Sequence, residues 1–427
     1  FQMSVSLTDL PPELLLHILS YLPPQFCLSS LSLVSSSFHS LLKDDNWWRN
    51  RKKEMGLLIN EKEEKCSEYC VRRLVCRSAM ETKRWTALPR HKPLPIHTAH
   101  FGTVNAVRLF TTPSGNRRCI SAGRDRRMAM WDIEQVKQAV NASGEGTSGT
   151  VGERKELVDS VDVAHSGWIW QVTRPNCDNR LLSSGWDYFL KTWDISPTGI
   201  KEVGQCNLGS AVVGLDWIDG STTEAICSTF FRRVCIVDGR DGMKVVQEYS
   251  RHKNAVIGVA SKGHTVYSWG EDALIMMSDM RNLKTSIATV KVSRGYANIV
   301  SLSSTSLVAG TSKGQCLYLD PNTLTSRSNF VVRDVAGMKG GTAYEGVDPV
   351  RGVVNTGSSL LTLSKFGKLN AFTYGESPRH IMTWEDLGGE PSRMDYYQGD
   401  VVVAVGDGRL LLWEKPSKQD LQLVDNL

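Results

Sequence analysis

The side chains best suited to chemistry recur at fixed spacing in two segments of this sequence. SAGRDRRMAMWD (121–132) and SSGWDYFLKTWD (183–194) each hold a Ser four residues before an Asp and a Trp six residues after it. A His opens each corresponding unit upstream. Such groups can form a hydrogen-bonded set that ties a tight turn to a neighbouring loop, because buried polar groups must be paired. The predicted structural tetrads are His100, Ser121, Asp125 and Trp131, and His165, Ser183, Asp187 and Trp193.

Residues for catalysis or metal binding lack the spacing that those functions need. The sequence has no P-loop GxxxxGK[ST] motif, no HExxH motif and no CxxC pair among its ten cysteines. Cys66 and Cys70 are four residues apart on a predicted helix, but no His or second Cys pair completes a zinc set. We therefore predict free thiols in a reducing compartment, and a non-catalytic chain without a metal or cofactor.

Composition limits the classes of partner. The 427 residues include 50 basic and 45 acidic residues, a net charge of +5, and 41% are hydrophobic, which is typical of globular proteins. So small an excess of positive charge argues against a general nucleic-acid-binding surface. There is no apolar run of about 18 residues for a membrane span and no signal-peptide pattern. We expect a cytoplasmic and/or nuclear protein.

The chain divides into two parts with different sequence patterns, and the first part is predicted to be helical. Between Pro12 and Leu22 the apolar residues follow the period of one helix face, with Pro at the start where a helix tolerates it. A second apolar set, spaced by three and four, runs from Leu28 to Leu42 and is followed by Trp47 and Trp48. Residues 51–86 predict further amphipathic helix, a linker.

The rest of the chain repeats. An apolar or aromatic residue precedes Asp, Thr or Glu at segment endings near 132, 194, 238, 320, 373 and 414, and Met-Ser-Asp forms a further ending at 277–279. Four of the six steps between them are 41 to 44 residues, as expected for four-stranded propeller blades of about 40–45 residues. Gly-rich stretches at 141–156 and 337–346 lengthen the other two steps. Seven endings predict seven blades.

A propeller ring must be closed, because an open ring exposes sheet edges. We predict that a strand from residues 93–98 completes the last blade. The predicted domains are residues 4–50 for the first helical module, 51–86 for the helical linker and 87–418 for the propeller. Complete tetrads occur only in the first two repeats; Asp272 with Ser268, and Asp407 with Trp413, keep parts of the pattern.

The N-terminal module resembles the F-box. The residues that carry the resemblance are LPPEL (10–14), Ile18, Leu19, Leu22, LSLV (31–34) and the Trp47–Trp48 pair, in order. One departure is Ser35, where many F-boxes carry Cys.

The repeats resemble the WD-repeat propeller, most specifically at HSGWIWQV (165–172) and the SSGWDYFLKTWD segment that follows. The whole chain thus resembles the F-box/WD-repeat family. The implied fold is α + all-β: a helical F-box and linker followed by a seven-bladed WD-repeat β-propeller.

The resemblance implies a substrate receptor of a Skp–cullin–F-box ubiquitin ligase. The F-box would dock on a Skp-type adaptor and through it on a cullin/RING ligase, while the propeller recruits an unidentified protein substrate and other subunits perform the ubiquitin chemistry. Two alternatives stay open: a scaffold that binds the adaptor or another partner without promoting ubiquitination, and a propeller that binds RNA or anionic membrane with steep salt dependence. The implied adaptor-binding residues are Leu10, Pro11, Leu14, Ile18, Leu22, Leu31, Val34 and Trp47.

Residues before each turn Asp, and those opening each inner strand, are expected on the substrate face. This carry-over by position points to Arg124, Trp168, Trp170, Trp186, Phe230 and Arg232. Trp168 and Trp170 could instead be core between blades, since positions two apart in a strand share a side. The nearby arginines could read a phosphorylated segment or be solvated surface.

Overall fold

The computed structural model describes residues 7, 10–57, 68–87, 92–96, 100–143, 156–175, 179–240, 242–332, 348–375, 377–385 and 387–414. Several predicted features lie outside these ranges in whole or in part. They are residues 97–98 of the closing strand, 144–155 of the first Gly-rich stretch, all of 337–346, part of the linker at 58–67, Cys66 and the ends of the predicted domains.

The N-terminal module is a set of short helices closed by capping groups. Pro12 occupies the first helical position of the first helix, where its missing N–H costs nothing. Ser35 caps the helix Ser36–Leu41 by accepting a hydrogen bond from the Phe38 N–H at 3.2 Å, and Asp44 caps the helix Asp45–Glu54 by accepting one from the Asn46 N–H. The helices are α1 (Pro12–Ser20), α2 (Pro24–Phe26), a π-helical turn (Cys27–Leu31), α3 (Ser32–Val34), α4 (Ser36–Leu41), α5 (Asp45–Glu54) and the linker helix α6 (Glu68–Ala87).

Seven four-stranded antiparallel sheets form the propeller blades. Blades one to three consist of β2 (Val104–Thr111), β3 (Arg117–Gly123), β4 (Met128–Asp132), β5 (Leu157–Val161); β6 (Ile169–Thr173), β7 (Arg180–Gly185), β8 (Phe189–Ser196), β9 (Gly199–Asn207); and β10 (Val212–Trp217), β11 (Glu224–Thr229), β12 (Val234–Asp238), β13 (Lys244–Tyr249). Blades four to six consist of β14 (Val256–Lys262), β15 (Thr265–Gly270), β16 (Leu274–Asp279), β17 (Asn282–Lys291); β18 (Ala297–Leu302), β19 (Leu307–Thr311), β20 (Gln315–Leu319), β21 (Ser326–Val331); and β22 (Val350–Asn355), β23 (Ser359–Ser364), β24 (Leu369–Thr373), β25 (His380–Trp384). Blade seven consists of β26 (Pro391–Tyr397), β27 (Asp400–Val405), β28 (Leu410–Trp413) and β1 (Leu94–Ile96).

The last blade takes its outer strand from the chain before blade one. In β1, Leu94 pairs with Leu412 and Ile96 with Leu410 of β28. Pro95 lacks a donor, and such a residue is tolerated in an edge strand. The ring is thereby closed by hydrogen bonds between segments more than 300 residues apart in sequence.

The predicted segment endings mark the third strand of each sheet, not the end of the blade. The third strands end at Asp132, Ser196, Asp238, Asp279, Leu319, Thr373 and Trp413, and a fourth strand follows each of them in its sheet. The predicted blade boundaries were therefore wrong by one strand, because the repeating Trp-Asp pattern marks a buried strand and the outer strand has no equivalent pattern.

A helix, α7 (Ile133–Ser143), lies between β4 and β5 where the sequence analysis placed only a long connection. Asp132 starts it by accepting hydrogen bonds from the N–H groups of Glu134 and Gln135. Ile133 and Val136 are buried against blades one and seven. This capping residue and apolar spacing were the signal that could have predicted the helix.

The linker helix α6 docks on blade six. Ser78 donates a hydrogen bond to the backbone carbonyl of Ser358, and Trp85 Nε1 donates to Ser359 Oγ at 2.8 Å. The carboxylate of Glu81 accepts hydrogen bonds from the hydroxyls of Thr356 at 2.6 Å and Ser359 at 2.7 Å. These contacts bury a polar anchor in which each named group has a partner.

The docked helix defines two faces of the disc. Residues 356–358 form the turn between the first and second strands of blade six, and Ser359 begins the second strand. Helix α6 therefore lies on the face made by such turns. Turns between second and third strands, and the connections between blades, lie at the other strand ends and hence on the opposite face. We call that opposite face the distal face.

Candidate substrate-binding face and adaptor-binding module

Both predicted tetrads are assembled at turns of the distal face. In blade two, His165 Nδ1 lies 2.9 Å from Asp187, and His165 Nε2 lies 2.7 Å from Ser183 Oγ. Trp193 Nε1 donates to the same Ser183 oxygen at 2.7 Å. In blade one the matching distances are 2.9 Å for His100–Asp125, 2.8 Å for His100–Ser121 and 2.8 Å for Trp131–Ser121. The four side chains of each tetrad form hydrogen bonds with one another, so their role is structural.

The geometry of the blade-two tetrad requires a glycine at position 185 and lowers the pKa of Asp187. A Cβ on Gly185 would lie 2.8 Å from Asp187 Oδ1 and 2.9 Å from His165 Nδ1, so a larger residue would displace the pair. Burial by itself raises the pKa of Asp187, but hydrogen bonds from His165 and from the N–H groups of Phe189 and Ser166 outweigh it. The pKa of Asp187 is therefore below its ordinary value, and that of Asp125 is lowered in the same way.

A third set, in blade four, was predicted only in part, since Asp272 and Ser268 were recognised and His252 was not. His252 Nδ1 lies 3.0 Å from Asp272, and His252 Nε2 lies 2.9 Å from Ser268 Oγ. Ser278 stands in place of Trp and accepts a hydrogen bond from Arg251 at 2.8 Å. The signal was available, because His252 precedes the first residue of its inner strand by four positions, as His100 and His165 do.

Seven bulged residues, one per blade, line the mouth of the central channel on the distal face. The pairing between the first and second strands of every blade skips one residue near its start. A bulge of this kind changes the direction in which a side chain points. All seven skipped residues line the same cavity, which has a volume of about 750 Å³. The seven residues are Asn105, Trp170, Val213, Ile257, Asn298, Arg351 and Ser392.

The bulge in blade two determines where Trp170 lies. The sequence had left open whether this side chain is in the core between blades or on the surface. Trp170 is half-buried and lines the channel mouth, its ring centroid 6.0 Å from that of Trp186. Trp168 precedes the strand and is 45% exposed. The alternation argument failed here because the chain is bulged between Ile169 and Gln171.

Aromatic side chains from blades two and three meet beside this mouth. The centroid of Trp186 lies 6.1 Å from that of Trp168 and 5.6 Å from that of Phe230. The guanidinium of Arg124 lies over the Trp168 ring, 4.8 Å from its centroid. Arg124, Trp170, Trp186 and Phe230 all line the cavity, so four of the six expected face residues converge.

The remaining arginines of these turns differ in their partners. Arg127 pairs with Asp162 at 2.9 Å, and Arg233 pairs with Glu248 at 3.1 Å, so both charges are neutralised. Arg232 is exposed and donates to the carbonyl of Lys253 at 3.4 Å, outside the residues that line the cavity. A phosphate site built from all five arginines of these turns, Arg124, Arg126, Arg127, Arg232 and Arg233, is therefore not assembled.

Arg393 adds a positive charge inside the channel. It lines the distal cavity and the cavity of about 560 Å³ at the other end, and its Nε donates to the Asn105 carbonyl at 3.1 Å. Burial, and then the nearby charges of Arg351 and Arg108, lower the pKa of Arg393 to about 10.

One spacing typical of catalysis was overlooked in the prediction from sequence, and the structure gives it a different context. GTSKG (310–314) has the GxSxG spacing of a hydrolase nucleophile, but it forms the turn between β19 and β20, with no helix after it. Ser312 Oγ accepts a hydrogen bond from the Tyr296 N–H. Within the described ranges, no three His, Cys, Asp or Glu side chains are arranged to hold a metal ion.

The expected adaptor-binding residues divide by burial. Leu14 is 52% exposed and Ile18 is 40% exposed, and Pro11 and Val34 are also exposed. Their neighbours Leu15 and Leu19 are buried, so α1 is apolar on two sides. Leu10, Leu22 and Leu31 are half-buried and pack partly against the module's own core.

Trp47 is a correction to that set. It is 6% exposed, and its Nε1 donates to the Leu16 carbonyl at 3.0 Å. Its ring packs edge-on against Trp48, whose Nε1 donates to the Leu42 carbonyl. Trp47 therefore closes the helical module itself, because an indole buried with its donor satisfied has no surface to offer a partner.

Comparisons with known proteins agree with this architecture. Residues 7–53 match the F-box-like family model. F-box/WD repeat-containing protein mec-15 of Caenorhabditis elegans is 28% identical over 407 residues, 94% of each chain. F-box/WD repeat-containing protein 9 of Homo sapiens is 27% identical over 282 residues, 64% of this chain and 56% of the relative. Its Bos taurus counterpart is 25% identical over the same shares.

A helical F-box-like module joined to a seven-bladed propeller gives the chain two candidate binding ends, the open side of α1 and the distal face. The F-box-like match, the propeller and these relatives make the chain similar to F-box/WD-repeat proteins in both of its parts and support that family. They support a substrate-recognition adaptor of the Skp–cullin–F-box class. In the part of the chain that the structure describes, every helix is too short or too polar to span a bilayer.

Proposed function

We propose that this protein is the substrate-recognition subunit of a Skp–cullin–F-box E3 ubiquitin ligase. The F-box binds a Skp-type adaptor, and the distal face of the propeller recruits a protein substrate for ubiquitination. The chain contributes proximity, because holding a substrate beside the ligase raises its local concentration.

The two-sided apolar helix α1 is the observation that carries this proposal. Leu15 and Leu19 fill the core, while Leu14 and Ile18 present a second apolar face to solvent. Leu33 and Val34 add exposed apolar surface in the same module. A helix with a second apolar side exposed to solvent calls for a partner on that side.

Co-purification with a Skp-type adaptor tests the adaptor link. We expect the wild-type chain to form a stable complex and a Leu14→Glu/Ile18→Glu variant to lose it, since two charges would be buried unpaired. Ile287→Glu is the matched control: Ile287 is 59% exposed on the outer strand β17, so the same change there should leave the complex intact. Retention of the adaptor by the double variant would contradict the proposal.

Reconstituted ubiquitination separates the receptor from the scaffold alternative. Proteins bound to the wild-type propeller should be ubiquitinated when adaptor, cullin, RING subunit and the remaining enzymes are added, and should accumulate in cells lacking this chain. Bound proteins that are neither modified nor accumulated would instead establish a scaffold.

A further inference from the structure

One turn position of the distal face carries long side chains in three consecutive blades. It is the third residue after the second strand, and it has positive φ in every blade. In every blade but the second, its N–H donates to the carbonyl three residues back. Blades five to seven use glycine there, and blade four uses Ala273. The full set is Arg126, Tyr188, Arg232, Ala273, Gly314, Gly367 and Gly408.

The conformation is unfavourable for the first three residues, and burial does not offset it. A left-handed backbone is strained for any residue with a Cβ and most of all for a bulky one. Tyr188 has φ +75° and is 45% exposed, and Arg126 and Arg232 are exposed as well. Met243 and Leu324 also have positive φ, but they are buried and gain apolar contacts in return.

Arg126 and Arg232 also have free charges. Within the described ranges, neither forms an ion pair with a carboxylate, whereas the next residue in each turn, Arg127 or Arg233, does. Arg124, stacked on Trp168, is likewise without an acidic partner there. The turns of blades one and three therefore present unneutralised positive charge to solvent.

The channel mouth between these turns is apolar on one side. Of the seven bulged residues, those of blades two, three and four are Trp170, Val213 and Ile257, while the other four blades supply Asn, Arg or Ser. Trp186 and Phe230 extend the apolar side up to the turns that carry Tyr188 and Arg232.

We propose that the turns of blades one to three form a crescent that binds an extended acidic segment of the substrate. A large apolar side chain of that segment enters the mouth at Trp186, and its carboxylates meet Arg126 and Arg232 on either side of Tyr188. The proposal rests on the proposed function and names the chemistry of the substrate.

Distributed carboxylates fit the crescent better than one phosphate group. Arg126 and Arg232 belong to blades one and three, and the whole turn of blade two stands between them. A single phosphate is matched by guanidinium groups that converge on it. The charges here are spread along an arc, as are the acidic residues of an extended chain.

Peptide binding by the full chain, co-expressed with the adaptor, tests the proposal. The probes are fluorescent peptides of about twelve residues with one central Trp, flanked by Glu in one and by Gln in the other. We expect the Glu peptide to bind more tightly. The Arg126→Gly/Arg232→Gly variant should weaken it about threefold to tenfold, as expected for two exposed ion pairs. Ala273→Gly, the same change in blade four, should not weaken it.

Four results would overturn the proposal: no binding of either peptide, equal binding of both, an unaffected double variant, or tighter binding of a peptide with a single phosphoserine in place of Glu. An oligouridine RNA bound as tightly as the Glu peptide would reassign the crescent to nucleic acid. Adaptor capture in the same preparation reports the proposed function separately, so a failure of one is distinguishable from a failure of the other.

Discussion

Trp85 donates a hydrogen bond from its indole Nε1 to Ser359 Oγ at 2.8 Å, and both side chains are fully buried. Trp85 lies near the end of the linker helix, and Ser359 begins the second strand of blade six. The guanidinium of Arg84 lies 4.4 Å from the Trp85 ring centroid and 5.9 Å from that of Tyr396. The linker is thus joined to the face opposite the candidate substrate crescent, which sets the separation of the two binding ends.

The linker anchor predicts a stability effect at Glu81. Glu81→Ala should lower the free energy of unfolding by about 2–3 kcal/mol, because it leaves the buried hydroxyls of Thr356 and Ser359 without their acceptor. Urea denaturation measures the change. Met80→Ala, at the adjacent and more exposed position, is the control. Equal effects of the two substitutions would contradict the anchor.

The two sides of α1 predict opposite results for neighbouring leucines. Leu15→Ala should cost about 2–4 kcal/mol, because it opens a cavity in the module's core. Leu14→Ala should change stability by less than about 0.5 kcal/mol but weaken adaptor binding. Thermal unfolding and adaptor titration of both variants give the comparison. A large stability loss at Leu14 would place that side chain in the core.

The tetrad predicts that Asp187 contributes more to the free energy of unfolding than a surface carboxylate does. Asp187→Ala should cost about 1–3 kcal/mol, since His165 and two backbone N–H groups would lose their acceptor. Asp162→Ala is the control, because Asp162 is largely exposed and pairs only at the surface with Arg127. Chemical denaturation distinguishes them; similar losses would argue against a structural tetrad.

The lowered pKa values of Asp125 and Asp187 predict an acid-dependent loss of stability. Burial alone raises each pKa, but the His and backbone hydrogen bonds lower it overall. A carboxyl with a lowered folded-state pKa contributes stability above its unfolded pKa of about 3.9 and loses it as pH falls through the folded pKa. Below pH about 4, the free energy of unfolding should fall more steeply for the wild type than for Asp125→Asn/Asp187→Asn. Parallel curves would contradict this assignment.

The positive-φ turn of blade two predicts that a glycine in place of Tyr188 stabilises the fold, although it removes a side chain of the proposed substrate-binding crescent. Tyr188→Gly should raise the free energy of unfolding by about 0.5–1 kcal/mol, because glycine adopts φ +75° without a Cβ clash. Gly367→Ala, at the same position of blade six with φ +85°, should have the opposite sign. Differential scanning calorimetry of both variants checks the pair. A destabilised Tyr188→Gly variant would mean that the tyrosine packs as part of the fold.

Much of the architecture followed from local pattern. The 3.6-residue period predicted the N-terminal helices, and the recurring Trp-Asp endings predicted seven blades, because a repeat that buries the same strand each time must repeat its sequence signal. The residues of both tetrads could be named for the same reason: turn chemistry sets the spacing of Ser, Asp and Trp within about ten residues.

The functional surfaces depended on contacts between distant segments. Leu14 and Leu15 are both leucines on one helix, and only packing decides which one faces solvent. Trp47 has the position of an anchor residue but is buried against the Leu16 carbonyl. Arg126 and Arg127 are adjacent, yet Asp162 neutralises only the second. Spacing in a sequence sets local conformation, whereas burial and charge pairing are properties of neighbours that only the folded chain brings together.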